Sequence, residues 1–113
     1  MQLINLTPHP LTLIGQDDTV LLNQAPDGPM ARCIEDRREI GAVTLPGGGT
    51  VPLRSVGFGA VTGLPEPRDG VLLVVSRATA EAAAGRSDIV YPDEQVRDQD
   101  GRIIGCRALA RAH

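Results

Sequence analysis

Apolar residues in this chain fall in short groups, each closed by Gly, Pro or a cluster of turn-forming polar residues. That spacing predicts many short strands joined by turns rather than long helices. Gln2 to Leu6 reads as a first strand, stopped by Thr7-Pro8-His9-Pro10. Leu11 to Ile14 and Thr19 to Leu22 follow, separated by the turn Gly15-Gln16-Asp17-Asp18, so the first three strands are expected to form a small meander. Met30 to Ile40 carries a partial helical stripe (Met30, Cys33, Ile34, Ile40), with Pro29 placed where a helix could begin. The run of charges Glu35 to Arg38 and the strand-like continuation to Leu45 favour a strand there. Pro46-Gly47-Gly48-Gly49 is a turn. Thr50 to Ala60 is extended again, and Gly57 and Gly59 predict a bulge or bend in it.

The C-terminal half is punctuated more sharply. Leu64-Pro65-Glu66-Pro67 is a stiff connector that cannot be helical. Val71 to Val75 is an unbroken apolar run of strand length, the pattern of a central strand buried on both faces. Ser76 stands at a helix N-cap position before Arg77 to Ala84, and Gly85 sits at the stop, so one short helix is predicted at about 77–84. Ile89 to Tyr91 is a strand ended by Pro92. Val96-Arg97 and Arg102 to Leu109 flank Asp98-Gln99-Asp100-Gly101, a hairpin turn with Gly where positive φ is tolerated. The expected fold class is α+β: one domain over residues 1–113, with a mostly antiparallel sheet or partly open barrel and one short helix.

The resemblance carried by these segments is to small uncharacterised proteins of bacteriophages and actinobacteria. Asn5-Leu6-Thr7-Pro8-His9 resembles the NLTPH signature with which those proteins open. Gly63-Leu64-Pro65-Glu66-Pro67, the strand ending in Val75-Ser76, Val96-Arg97-Asp98 and Gly101-Arg102-Ile103-Ile104-Gly105-Cys106 are similar to the rest of the pattern, over nearly the whole chain. The resemblance implies an accessory protein that binds something of the host, either a protein or a signalling nucleotide.

Composition narrows the chemistry by exclusion. The chain has 113 residues, 42 % hydrophobic and 22 % charged, which is the balance of a globular domain. No apolar run approaches membrane-spanning length, and the start shows no basic-then-apolar leader, so a cytoplasmic protein with no membrane partner is expected. Every basic residue is Arg, which rules out a Schiff-base lysine or a phosphate-loop lysine. The net charge of −3 and the presence of only Phe58 and Tyr91 as aromatics argue against nucleic acid. Cys33 and Cys106 are far apart and in no CxxC pair, and are expected as free thiols. No spacing predicts a metal site or a cofactor. A Ser-His-Asp triad has no nucleophile elbow behind it.

Two places remain as candidate ligand sites. Pro8 and Pro10 hold His9 in extended backbone at a strand end. Asn5 and Thr7 share one face of that strand, so Asn5, Thr7 and His9 can form a polar cluster. The plainer alternative is that they satisfy turn backbone. Ser76 and Arg77, at a strand-to-helix junction, are placed to meet an anion, with Arg86 reaching from the other end of the helix. The plainer alternative is an N-cap beside a solvated arginine. The expectation is therefore a non-enzymatic protein binding a small anionic, nucleotide-like ligand through Asn5, Thr7, His9, Ser76, Arg77 and Arg86. Two alternatives stand beside it: a protein-interaction module that inhibits a host enzyme, and a small hydrolase with His9 as general base. Free sheet edges would also suit a homodimer.

Overall fold

Residues 1–113 are described by a computed structural model. The elements in chain order are β1 (Gln2–Asn5), β2 (Leu11–Ile14), β3 (Val20–Gln24), β4 (Arg32–Thr44), β5 (Thr50–Thr62), β6 (Val71–Val74), α1 (Arg77–Ala82), β7 (Ile89–Arg97) and β8 (Ile103–Ala110). Six strands form one open sheet in the order β1-β6-β7-β8-β2-β3, while β4 and β5 pair only with each other. The fold is the expected β-rich α+β class, as a sheet that does not close into a barrel.

Pairing is mostly antiparallel because the β4–β5 and β7–β8 ladders are long. The parallel contacts are short: β1 with β6, β6 with β7, and a single residue pair, Leu13 with Cys106, joining β2 to β8. The predicted N-terminal meander is corrected here. β2 and β3 do form a hairpin, but β1 lies at the far edge beside β6. Pro8 and Pro10 divert the chain after β1, and the apolar run at Val71 supplies β1 with a partner distant in sequence. The predicted helix is also shorter than expected. Ser76 caps it, its hydroxyl accepting from the Thr79 N–H at 3.3 Å, but helical geometry stops at Ala82, with Ala83 as C-cap and Gly85 at φ +106°.

β6 is the centre of the core. Leu73 and Val75 point to one face, against Leu6, Ala31, Ala80 of α1 and Ile89; Val74 points to the other, against Leu11, Val90 and Cys106. Burial on both faces is the reason this strand is continuously apolar. Each of these aliphatic side chains contributes roughly 1.5–3 kcal/mol by leaving water.

β4 and β5 build a different object. Each spans 13 residues, a ribbon about 40 Å long at the usual strand rise. Its turn is closed by Leu45 N–H donating to the Gly49 carbonyl at 2.7 Å and Gly48 N–H to the Leu45 carbonyl at 2.9 Å. The register shifts between Cys33 and Glu35, opposite Gly59, and again between Glu39 and Gly41. The first shift is the bend that Gly57 and Gly59 predict; a Cβ at Gly59 would sit 3.0 Å from the Ile34 carbonyl oxygen. No residue from Arg32 to Thr62 is fully buried. The arm raises the radius of gyration to 17.8 Å, against about 13 Å for a compact chain of this length.

Candidate functional site

Asn5, Thr7 and His9 are brought together, as strand alternation predicts. Asn5 is completely buried at the end of β1. Its Oδ1 accepts from the Thr7 N–H at 3.0 Å and the Thr7 hydroxyl at 2.7 Å, and its Nδ2 donates to the carbonyls of His9 at 2.9 Å and Gln24 at 3.0 Å. The Asn5 backbone N–H donates to Asp27 Oδ2 at 2.7 Å, and Asp27 N–H returns a bond to the Asn5 carbonyl. Gln24 adds a side-chain donation to the Leu3 carbonyl at 2.8 Å. Every polar atom of the Asn5 side chain is thus used in tying β1 to the following turn and to the end of β3. Buried polar groups demand such partners, and here the chain itself supplies them.

His9 differs from its two neighbours. Its backbone carbonyl takes part in the knot, but its ring is exposed and borders an open cleft of about 560 Å³ between β2 and β8. Thr7, Pro10, Leu11, Ile104, Gln95 and the buried Cys106 also line this cleft. No arginine does. Burial pushes the Cys106 thiol above its ordinary value, so the group stays neutral and weakly nucleophilic.

Ser76 and Arg77 lie in a shallow depression next to that cleft, and Pro92 and Gln95 border both. Ser76 is committed to the helix cap, and its hydroxyl also donates to Thr79 Oγ1 at 3.0 Å. Arg77 Nε donates to Glu81 at 3.0 Å, and the guanidinium lies 5.7 Å from the Tyr91 ring centre. The Glu81 hydrogen bond is the main reason its pKa is raised. Asp93 and Glu94 complete the rim of this depression, so the field there is not one that draws an anion.

Arg86 is separate from both places. It forks onto Asp88 with bonds of 3.1 and 2.8 Å and donates to the Pro65 carbonyl at 2.9 Å, locking the end of the helix to the stiff connector. That hydrogen bonding raises the Arg86 pKa and lowers that of Asp88. The two thiols remain unpaired, with Cys106 buried and Cys33 half-buried at the base of the arm. No group of three His, Cys, Asp or Glu side chains converges as metal ligands, and no helix is long and apolar enough to cross a membrane.

The feature not read from the sequence is the arm's amphipathic tip. Between Glu39 and Arg54 there is no charged residue. Val43 pairs with Val51 and Gly41 with Leu53, so alternation sets Val43, Leu45, Val51 and Leu53 on one face. The other face carries Ala42, Thr44, Thr50 and Pro52. The four large side chains on the apolar face are 42–47 % exposed, and Ile40 at the bulge beside them is 62 % exposed. The signal that could have found it is the matched pair Val43-Thr44-Leu45 and Val51-Pro52-Leu53 around a Gly-rich turn. No protein-family model, curated protein or solved structure matches the chain, and its function is read from its own residues and their arrangement.

Proposed function

We propose that the chain is a non-catalytic binding module whose partner is a protein and whose working surface is the apolar face of the β4–β5 arm. The observation that carries this reading is the pairing of the arm's projection with its pattern: a two-stranded ribbon, apolar on one side at its tip, with no second layer over it. Isolated two-stranded ribbons are marginal in water, and contiguous exposed apolar faces mark contact sites. The bacteriophage-type resemblance would set the partner in a host cytoplasm, and inhibition of a host enzyme is the consequence this reading carries.

One observation favours a small ligand instead: the exposed His9 ring on a cleft large enough for a small molecule. The anionic, nucleotide-like ligand gains less support, because Arg77 and Arg86 are matched to Glu81 and Asp88 within the chain. The hydrolase alternative would rest on that same ring, with no second chemical group in the cleft set to work with it.

The two binding readings separate in one experiment. Immobilised full-length chain is exposed to bacterial lysate, beside Val43→Asp/Leu53→Asp and His9→Ala/Arg77→Ala. The interaction reading expects the first variant to lose retained protein and the second to keep it. In parallel, a thermal-shift series with nucleotides, sugar phosphates and inorganic phosphate tests the ligand reading. A ligand at about a hundred times its Kd adds roughly 2.7 kcal/mol, on the order of ten degrees for a domain of this size. Such a shift, absent in His9→Ala/Arg77→Ala, would overturn the interaction reading in favour of a small anion.

A further inference from the structure

We propose that the open edge of β4 at the arm's tip takes up an extended segment of a partner protein as a third strand, one that alternates apolar with uncharged polar residues. The proposal rests on the interaction reading above and names its mode of contact.

Main-chain pairing selects the edge. Leu45 N–H donates to the Gly49 carbonyl, so alternation along the antiparallel ladder makes Thr44–Thr50 and Ala42–Pro52 non-hydrogen-bonded pairs. The N–H and C=O groups of Ala42 and Thr44 therefore point away from β5, along the outer edge of β4, which pairs with no other strand. Directly opposite, Pro52 removes the N–H that β5 would offer on its own outer edge. One side of the tip is blocked to a further strand and the other is not.

The remaining edges are closed, charged or short. On β1, Asp27 accepts from the Asn5 N–H at 2.7 Å and returns its own N–H to the Asn5 carbonyl, while Gln24 Nε2 donates to the Leu3 carbonyl. The lower part of β4 is charged at every position from Glu35 to Glu39, which discourages strand addition. β3 is open but has only five residues, and its register against β2 shifts near Val20. Ile40 to Leu45 carries neither charge nor proline.

The chemistry of the occupant follows from what it would extend. Only an extended chain presents N–H and C=O groups at the repeat set by Ala42 and Thr44. Its side chains at every second position would lie beside Val43 and Leu45 and continue the apolar face. Those between would lie beside Ala42 and Thr44, so small uncharged residues fit there. The open stretch offers roughly 20 Å of strand. A third strand also supplies what the ribbon lacks, since two strands alone are marginal in water and three sharing an apolar face are not.

The probe is an end-capped heptapeptide alternating Thr with Val, N-methylated at alternate residues so that only one of its edges can pair. Recognition through the main chain tolerates sequence, so this probe is expected to bind the full chain with a Kd below about 1 mM. In amide NMR spectra the Ala42 and Thr44 N–H groups should shift and gain at least tenfold protection from hydrogen exchange. The fully N-methylated peptide should cause neither change. Ala42→Pro mirrors Pro52 without removing a β4–β5 hydrogen bond and should weaken binding at least tenfold. Thr50→Pro, on the edge already blocked, should leave binding unchanged. No binding at about 1 mM, equal loss in the two variants, or protection confined to Val20–Gln24 overturns the β4 edge. Shifts at the Val43 and Leu53 methyl groups without amide protection at Ala42 and Thr44 overturn it too, and place the occupant on the face. Protection that appears on raising the chain's own concentration, with no peptide, makes the third strand a second copy and overturns a foreign one. If the probe fails while Val43→Asp/Leu53→Asp still loses protein retained from lysate, this proposal falls and the interaction reading survives; if nothing depends on the tip, both fall.

Discussion

The six-stranded sheet and the β4–β5 arm are written in the same aliphatic alphabet and end in opposite environments. In the sheet, Leu73, Val74 and Val75 are at most 2 % exposed, because α1 and the loop residues Leu6 and Ala31 close over one face and β2 and β8 over the other. In the arm, Val43, Val51 and Leu53 have the same strand geometry but no layer above them. An apolar strand pattern specifies the strand; burial needs a second element at the right distance. Exposed aliphatic side chains also occur on the sheet, at Leu21, Ile103 and Ile104, but the arm tip gathers Val43, Leu45, Val51 and Leu53 on one face.

The largest expected contrast follows directly. Leu73→Ala should destabilise the isolated chain by about 4 kcal/mol, since the cavity lies between packed faces. Leu53→Ala should change stability by under about 0.5 kcal/mol under dilute conditions. Urea unfolding of both variants at low protein concentration is the check. A comparable loss for Leu53→Ala would mean that the arm is packed within its own chain.

Much of this division was legible in the sequence, and the part that was not has a physical reason. Ser76 caps the helix, Asp98–Gly101 turns between β7 and β8, and the apolar run at Val71–Val75 carries the central strand, all of them local signals, whereas the helix stops at Ala82, short of Gly85. The place of β1 beside β6 depends on a pairing across some seventy residues, which no local pattern encodes. The grouping of Asn5, Thr7 and His9 was readable from alternation, but Gln24 and Asp27, which complete the knot, come from the end of β3 and the loop after it, about twenty residues away in sequence. The arm's strands were readable, and its solitude was not, because absence of a second layer is a property of the whole fold.

The knot yields the next contrast. Asn5→Ala should cost about 3 kcal/mol, because the Thr7 N–H and the Gln24 carbonyl lose their Asn5 partner away from water and the His9 carbonyl keeps only the Thr7 hydroxyl. His9→Ala, which removes only an exposed ring, should stay within about 0.5 kcal/mol. Equal losses would show that the His9 side chain carries structure. A smaller effect, roughly 2 kcal/mol, is expected for Gly105→Ala, whose Cβ would sit 2.7 Å from Ile14 Cδ1 and 2.9 Å from the Thr12 carbonyl oxygen. Gly41→Ala on the arm, with nothing within 4 Å, should be neutral or slightly stabilising.

The smallest contrast sets one ion pair of the body against those of the arm. Arg86 and Asp88 are largely shielded, with side chains 30 % and 13 % exposed, and their fork also reaches the Pro65 carbonyl. The Asp88 carboxyl lies below its ordinary value, chiefly because Arg86 hydrogen-bonds the charged form. Its stabilising contribution is therefore complete above the unfolded carboxylate value of about 3.9 and is lost as pH falls through the lower folded value. Asp88→Asn should lower the Tm by about 5 °C at pH 6, corresponding to about 1 kcal/mol, and the gap should narrow as pH falls below about 3.9. On the arm, Glu35–Arg37 and Asp36–Arg38 are open to water, and Arg37→Ala/Arg38→Ala should leave Tm unchanged at either pH. A Tm gap for Asp88→Asn that does not narrow with falling pH would show that the fork holds the connector by shape rather than by charge. A pH-dependent loss for the arm variant would place its charged segment against something that excludes water.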